Sequence, residues 1–228
     1  SDNYSNLGLI LKGMYRVKEA EIMMKKAIEL NPKLHIYHIN LANIFIRYDL
    51  FIEALNIYLY AEKLNESSSF GIQKAQLYSY LNKPELMIME YLIELKRNPN
   101  KKQTVISKVQ LFLNNNGIKN EENYQLVKKQ LLKFVKAEDG RSDFSEMLIW
   151  LFMQNGQYKM ALIQAKALDK RTKSNGNGVY QLGESFLNNK EYNLAVEAYN
   201  YVLAKGPKNK FFIESNVNKL YALTKGLT

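Results

Sequence analysis

The feature that most constrains this chain is a spacing. Leu41, Ala54 and Ala61 follow Leu7, Ala20 and Ala27 by the same 34 residues, and Leu182, Tyr192 and Ala195 follow Leu148, Tyr158 and Ala161 by the same 34. A period of this size belongs to stacked supersecondary units, each too small to bury its apolar face alone. The clearest unit runs from Val179 to Pro207 and places Leu182-Gly183, Phe186, Ala195, Tyr199 and Pro207 in order. Gly183 and Ala195 are expected to be small because two antiparallel helices come close there. Phe186, Tyr192 and Tyr199 fill the angle on either side of that contact. Pro207 cannot continue a helical ladder and ends the second helix.

Taken in order, the first unit reads Tyr4, Leu7-Gly8, Leu11, Val17, Ala20, Met24, Ala27 and Pro32. The second reads Leu41-Ala42, Phe45, Phe51, Ala54, Tyr58 and Ala61. In the third, Ala75, Tyr78 and Tyr91 stand 33 residues after Ala42, Phe45 and Tyr58. Pro84 opens its second helix at a position that tolerates proline. Met87 replaces the small alanine, so this pair of helices is expected to be splayed. Asn98-Pro99-Asn100 ends the unit.

From Thr104 to Ala137 the small–large pattern disappears while helical periodicity continues. Val105, Val109 and Phe112 form one stripe, and Tyr124, Val127, Leu131 and Phe134 form another. Asn114-Asn115-Asn116-Gly117 reads as the turn between them. This is a degenerate fourth unit with longer helices; the rival reading is a hinge between two blocks of repeats. The fifth unit restores the register at Leu148, Phe152, Gly156, Tyr158, Ala161 and Leu168. Lys173 to Gly178 reads as a flexible connector to the sixth. Lys210 to Thr224 then forms a last helix whose Phe211, Phe212, Val217, Leu220 and Tyr221 are available to cover the end of repeat six. It is a solvating cap or the first half of a seventh repeat.

The resulting division is an all-α array, with repeats at about 1–34, 35–67, 68–101, 102–141, 142–174 and 175–208 and a terminal helix over 209–225. The spacing predicts an almost wholly helical chain of about thirteen helices.

Composition agrees with a folded core: 46% hydrophobic, 24% charged, four prolines and eleven glycines, which excludes disordered and collagen-like chains. The absence of cysteine excludes disulfides and thiolate metal sites. No apolar run approaches membrane-spanning length, the longest near Trp150 being Leu148 to Met153. Ser1-Asp2-Asn3 is not a signal peptide, and the first repeat begins at once. That is the expectation for a piece of a longer chain or for a processed one.

On these residues the chain resembles the tetratricopeptide repeat (TPR) superfamily over nearly its whole length, with a weak zone at 104–137. The resemblance implies a right-handed α-solenoid of antiparallel helix pairs and a scaffold that takes up a polypeptide on its concave face. Trp150 to Arg171, followed by Val179 to Gly206, is similar to a group of long TPR proteins of Bacteroidota. Usage rich in Asn, Lys, Ile and Tyr suits an AT-rich bacterial genome. Relatives of that kind often look exported, which favours the periplasm over the cytoplasm. One TPR subtype clamps carboxylate tails with groove cations. Of its equivalent positions here (Ser5, Leu9, Asn40, Ser69 and Gln73), only Asn40 fits, and that subtype is rejected.

Nothing in the chain points to catalysis. His35 and His38, the two histidines, share one helix face at i, i+3, but a zinc site needs further ligands that are not evident nearby. They read as packing residues. Gly8 and Gly13 are followed by Met14 and Tyr15 where a phosphate-binding loop needs Lys and Ser or Thr. The pairs Glu19/Glu21 and Glu121/Glu122 diverge on a helix. No enzyme, cofactor, metal or small-molecule substrate is expected.

Two surfaces remain. The first helix of each repeat is expected to line a groove, which turns Leu9, Lys12, Ile39, Asn43, Ile46, Ile72, Gln76, Ser79, Glu146, Trp150, Met153, Tyr180, Glu184 and Leu187 inward. Trp150, Met153 and Tyr180 are residues of the kind that anchor protein interfaces, and a protein or peptide is the expected partner. The alternative partner is an anionic surface, lipid or nucleic acid. Of the net charge of +10, Lys96–Lys136 carries ten cations and two anions. Lys101, Lys102, Lys128, Lys129, Lys133 and Lys136 make its basic surface, with Lys129, Lys133 and Lys136 recurring at i, i+4, i+7. A solvated lysine face is the plain reading of the same residues.

Overall fold

A computed structural model of the protein describes residues 4, 6, 8, 13, 16–115, 118–138 and 141–226. Twelve α-helices lie among them: α1 (Val17–Leu30), α2 (His35–Ile46), α3 (Phe51–Leu64), α4 (Gly71–Tyr80), α5 (Pro84–Arg97) and α6 (Lys102–Leu113), followed by α7 (Glu121–Ala137), α8 (Ser142–Gln154), α9 (Tyr158–Thr172), α10 (Asn177–Asn188), α11 (Tyr192–Leu203) and α12 (Phe212–Gly226). Tyr4, Asn6, Gly8 and Gly13 are helical as well. Leu7, Leu9, Leu11, Lys12 and Ser5, and the turn residues Asn116 and Gly117, lie outside the described residues.

The chain divides into two compact units, Ser1–Gln110 and Leu111–Thr228. The boundary falls inside α6, in the stretch where the small–large pattern is lost. In the first unit α2 pairs with α3 and α4 with α5, while α1 packs on both α2 and α3. In the second, α8 pairs with α9 and α10 with α11, with α7 against α8 and α12 against α11.

The sequence reasons for the pairs are visible in the contacts. A Cβ on Gly183 of α10 would lie 2.9 Å from Cε1 of Tyr199 and 3.3 Å from Cβ of Ala198. Gly183 thus faces Ala198 and Tyr199 rather than Ala195. One Cβ on Gly8 would meet Met24 Cγ at 3.1 Å, and Met24 stands four residues after Ala20 as Tyr199 stands four after Ala195. The turns between paired helices carry a left-handed residue in four repeats: Asp49 (φ 58°), Asn82 (φ 52°), Gly156 (φ 70°) and Lys190 (φ 60°). Asp and Asn visit that region readily and Gly without strain.

The structure departs from or refines the expectations at three places. The α4–α5 pair comes close at its open end: a Cβ on Gly71 would be 2.7 Å from Cβ of Glu94, so a glycine at the head of α4 supplies a close approach that the residues around Met87 did not suggest. Second, the almost wholly helical chain carries one short ladder. Asn114 and Asn115 pair antiparallel with Lys119 and Ile118, a two-residue ladder that closes the turn without forming a layer. Third, repeat six is covered by only part of the expected set. Phe211, just before α12, stacks on Tyr180 at 4.3 Å and 10°. The packed helix positions are Ser215 and Ala222, whereas Val217, Leu220 and Tyr221 are exposed.

Candidate functional site

In the second unit a groove of about 550 Å³ opens between α8, α10 and the C-terminal end of α9. Its apolar floor is Ile149, Leu168 and Leu182, and Glu146, Asn177, Gln181 and Ser185 stand around it. Gly178 lies in the same wall, and a Cβ there would meet nothing within 4 Å. Amide and hydroxyl groups with one carboxylate, Glu146, over an apolar floor suit a peptide backbone with a side chain turned inward.

Of the residues expected to face inward in this unit, Glu146 lines the groove and others lie beside it. Trp150 and Met153 are half-buried on α8 and Glu184 is exposed on α10, but the groove is lined by the neighbouring strips, Glu146 with Ile149 and Gln181 with Ser185. Tyr180 is a correction. It is buried beneath Phe211, and its hydroxyl accepts a hydrogen bond from Asn218 Nδ2 at 3.5 Å, so it belongs to the core. In the first unit, Ile39 and Ile46 pack in part against the apolar core. Asn43 is half-buried, Ser79 is exposed, and exposed Gln76 donates to the Tyr80 hydroxyl at 2.7 Å.

Asp169, a residue the sequence reading missed, anchors the connector whose Ser174 lines the groove. Its carboxylate is 2% exposed. It accepts from Gly176 N at 2.6 Å, Ser174 Oγ at 2.7 Å, Tyr201 Oη at 2.8 Å and Lys205 Nζ at 2.7 Å. Burial alone would raise its pKa; these four donors overcome that and hold it at about 2. The connector 173–178 is therefore tied down by a carboxylate, which corrects the expectation of a flexible link. Nearby, Arg171 Nη2 donates to the buried Ser145 hydroxyl at 2.8 Å.

A second charged cluster, also missed, joins α3, α4 and α5. Lys74, 5% exposed, reaches Glu62 at 2.8 Å and Glu90 at 3.0 Å. Glu62 also accepts from Phe70 N at 2.9 Å. Burial raises the Glu90 carboxyl in spite of Lys74. Buried Glu94 takes Lys101 and Ser69; desolvation opposes its charge, and those hydrogen bonds hold its pKa below the usual value. These clusters sit on helix positions that a sequence pattern assigns to a solvated face. The available clue was Gly71, which leaves the room that Glu94 fills.

The six lysines of the expected basic surface have different surroundings. Lys101 is paired with Glu94, and Lys102 is half-buried in the first unit. In the second, Lys128 Nζ lies 5.7 Å from the Tyr124 ring centroid and 5.9 Å from that of Phe152. Lys129, Lys133 and Lys136 are exposed along α7. Both histidines serve packing: His35 stacks on Phe70 at 4.1 Å, and buried His38 donates from Nε2 to Asn31 O at 3.1 Å. No group of three His, Asp or Glu side chains among the described residues is placed to hold a metal.

These features define an all-α array of antiparallel helix pairs that resembles tetratricopeptide repeats in its 34-residue register and its glycine–aromatic close packing. No family model and no curated protein matches the sequence. Among solved structures, the chain is similar to YrrB, described as a TPR protein with an unusual peptide-binding site: 17% identity, 85% of this chain and 97% of that one, TM-score 0.37. A tetratricopeptide repeat protein of Parabacteroides merdae shares 15% identity over 96% of this chain and 98% of that one, TM-score 0.37. TTC0263 of Thermus thermophilus shares 14% over 98% of each chain, TM-score 0.32. Likeness at this level carries no argument about a ligand.

Proposed function

We propose that the chain is a non-catalytic scaffold that binds a polypeptide in the groove between α8 and α10. The observation that carries this reading is the composition of that groove: an apolar floor of Ile149, Leu168 and Leu182 under Asn177, Gln181 and Ser185. An extended peptide can satisfy its backbone on amide and hydroxyl side chains while one apolar side chain fills the floor. Trp150 and Met153, half-buried one strip away, extend the contact beyond the groove. The test is selection of binders from a random peptide library on the immobilised protein, repeated on Ile149→Asp and Gln181→Ala. Peptides that lose binding to both variants support the reading. Selected peptides that bind the variants equally well place the site elsewhere.

A second reading rests on one observation. Lys129, Lys133 and Lys136 are exposed on α7 and form no ion pair among the described residues. Such a stripe attracts anionic lipid or nucleic acid. Affinity for either would fall steeply with salt, while a peptide in the groove would be released far less.

A further inference from the structure

Asn-Gly pairs are the places where a polypeptide modifies itself most readily. The glycine nitrogen attacks Cγ of the asparagine side chain with no Cβ in its way, which is one reason asparagine is thermolabile. The chain holds four such pairs: Asn116-Gly117, Asn155-Gly156, Asn175-Gly176 and Asn177-Gly178. The first lies outside the described residues, and the other three differ in what the glycine N–H does. Gly156 N donates to Met153 O at 3.2 Å. Gly176 N, buried, donates to Asp169 Oδ1 at 2.6 Å, and Asn175 O accepts from Asn209 Nδ2 at 2.8 Å, so both ends of that peptide group are pinned. Gly178 is different. It is the second residue of α10, where a helix leaves its amides unpaired, and its N–H makes no hydrogen bond among the described residues. Gly178 is exposed, and a Cβ there would meet nothing within 4 Å, so its peptide group can turn without collision. The Asn177 side chain lines the groove, half-buried, and it too makes no hydrogen bond among the described residues.

We propose that Asn177 is a self-modification site, at which the groove exchanges an amide for a carboxylate. Gly178 N forms a bond to Asn177 Cγ, and the side-chain nitrogen leaves as ammonia, taking the glycine amide proton with it. Water then opens the cyclic imide at either carbonyl. One opening leaves aspartate at position 177. The other leaves isoaspartate, whose main chain runs through Cγ and is longer by a carbon. Water is the only other reactant. Either product places a negative charge in a groove whose lining holds Glu146 as its one ionisable side chain. A carboxylate suits the first turn of α10, where the helix dipole is positive, so the fold tolerates the change while the groove takes on a second charge. The effect on binding rests on the peptide reading above; the modification itself does not.

The test incubates the full folded chain, warm and at mildly alkaline pH, with peptide mapping by mass spectrometry at intervals. Asn177 is expected to convert several-fold faster than Asn155 or Asn175. In urea the three rates converge, because the difference comes from the fold. Asn177→Gln removes the fast site and leaves the other two as they were. A folded chain in which Asn155 or Asn175 converts as fast as Asn177 overturns the assignment, and so does the same spread of rates in urea. Asn177→Asp represents the product. It is expected to keep the helical circular dichroism and to bind a peptide selected on the unmodified groove several-fold more weakly. Equal binding overturns the consequence for the groove, whereas failure to select any peptide overturns the peptide reading alone.

Discussion

Gly183 and Tyr199 occupy one another's space: a single carbon added to Gly183 would come within 2.9 Å of the Tyr199 ring, which is fully buried. The ring also lies 5.9 Å from that of Tyr180 and cannot retreat without moving it. Gly183→Ala is therefore expected to destabilise the second unit by about 1–3 kcal/mol, the usual effect of overpacking. Ala195→Leu, at another fully buried position on the same helix pair, is expected to do the same. Urea titration of both variants gives the measurement, and unchanged midpoints would contradict the packing described.

Asp169 makes stability depend on acid in a defined window. Its pKa falls from 3.8 to about 2 on folding. The folded state thus holds its proton less tightly than the unfolded chain, and the stabilisation is complete above 3.8 and is lost as pH falls toward 2. Asp169→Asn keeps the shape but weakens the bonds from Lys205 and Gly176. It is expected to lower stability at neutral pH by about 1.5–3 kcal/mol, the range for hydrogen bonds to a charged group. The gap between wild type and variant should close as pH drops through that window. A gap that stays constant from pH 6 to pH 2 would remove Asp169 from this role.

His38 acts nearer neutrality. Burial lowers its pKa from 6.5, against the bond to Asn31 and with a smaller push from His35. Its Nδ1 is buried without a partner, so protonation there adds an unpaired donor. The folded pKa is depressed; stability is full above 6.5 and declines as pH falls below it. Thermal melts at pH 7 and pH 5 are expected to show a lower midpoint at pH 5, and His38→Leu should reduce that difference. An equal drop in both proteins would assign it to other groups.

Trp150 is the single tryptophan and is half-buried, so its fluorescence reports one site. Emission is expected between the extremes of a core and a free indole, with partial quenching by iodide. Trp150→Ala should cost less than the roughly 3–5 kcal/mol of a fully buried tryptophan. If a selected peptide occupies the groove and reaches α8, adding it should shift the emission and protect it from iodide. Emission that is fully blue-shifted and unquenched would place the indole in the core.

The pairing of helices was legible because it depends on residue size at fixed intervals. Gly8, Gly183 and the buried alanines could only be small, and Tyr58, Phe186 and Tyr199 could only fill the space beside them. What was illegible depended on partners that no single helix reveals. Lys74, Glu62 and Glu90 look like a solvated face until three helices bring them together. Tyr180 looks like a groove aromatic until Phe211, 31 residues later, covers it. The candidate groove takes Glu146 from the expected set but passes beside Trp150 and Glu184, because a sequence pattern gives the period of a helix more firmly than its rotation. Ile149 and Gln181 line it as well.

The 34-residue period also limits how far any part of the chain must search for its partner. Bonds between neighbouring repeats join residues at nearly constant separation: Tyr124 to Gln157 at 33, Tyr201 to Asp169 at 32, Lys205 to Asp169 at 36 and Asn209 to Asn175 at 34. Each repeat added thus closes a loop of about the same length, and the entropy of closure does not grow along the array. Assembly is local, in the sense of low contact order, and can begin in any repeat and spread to the next.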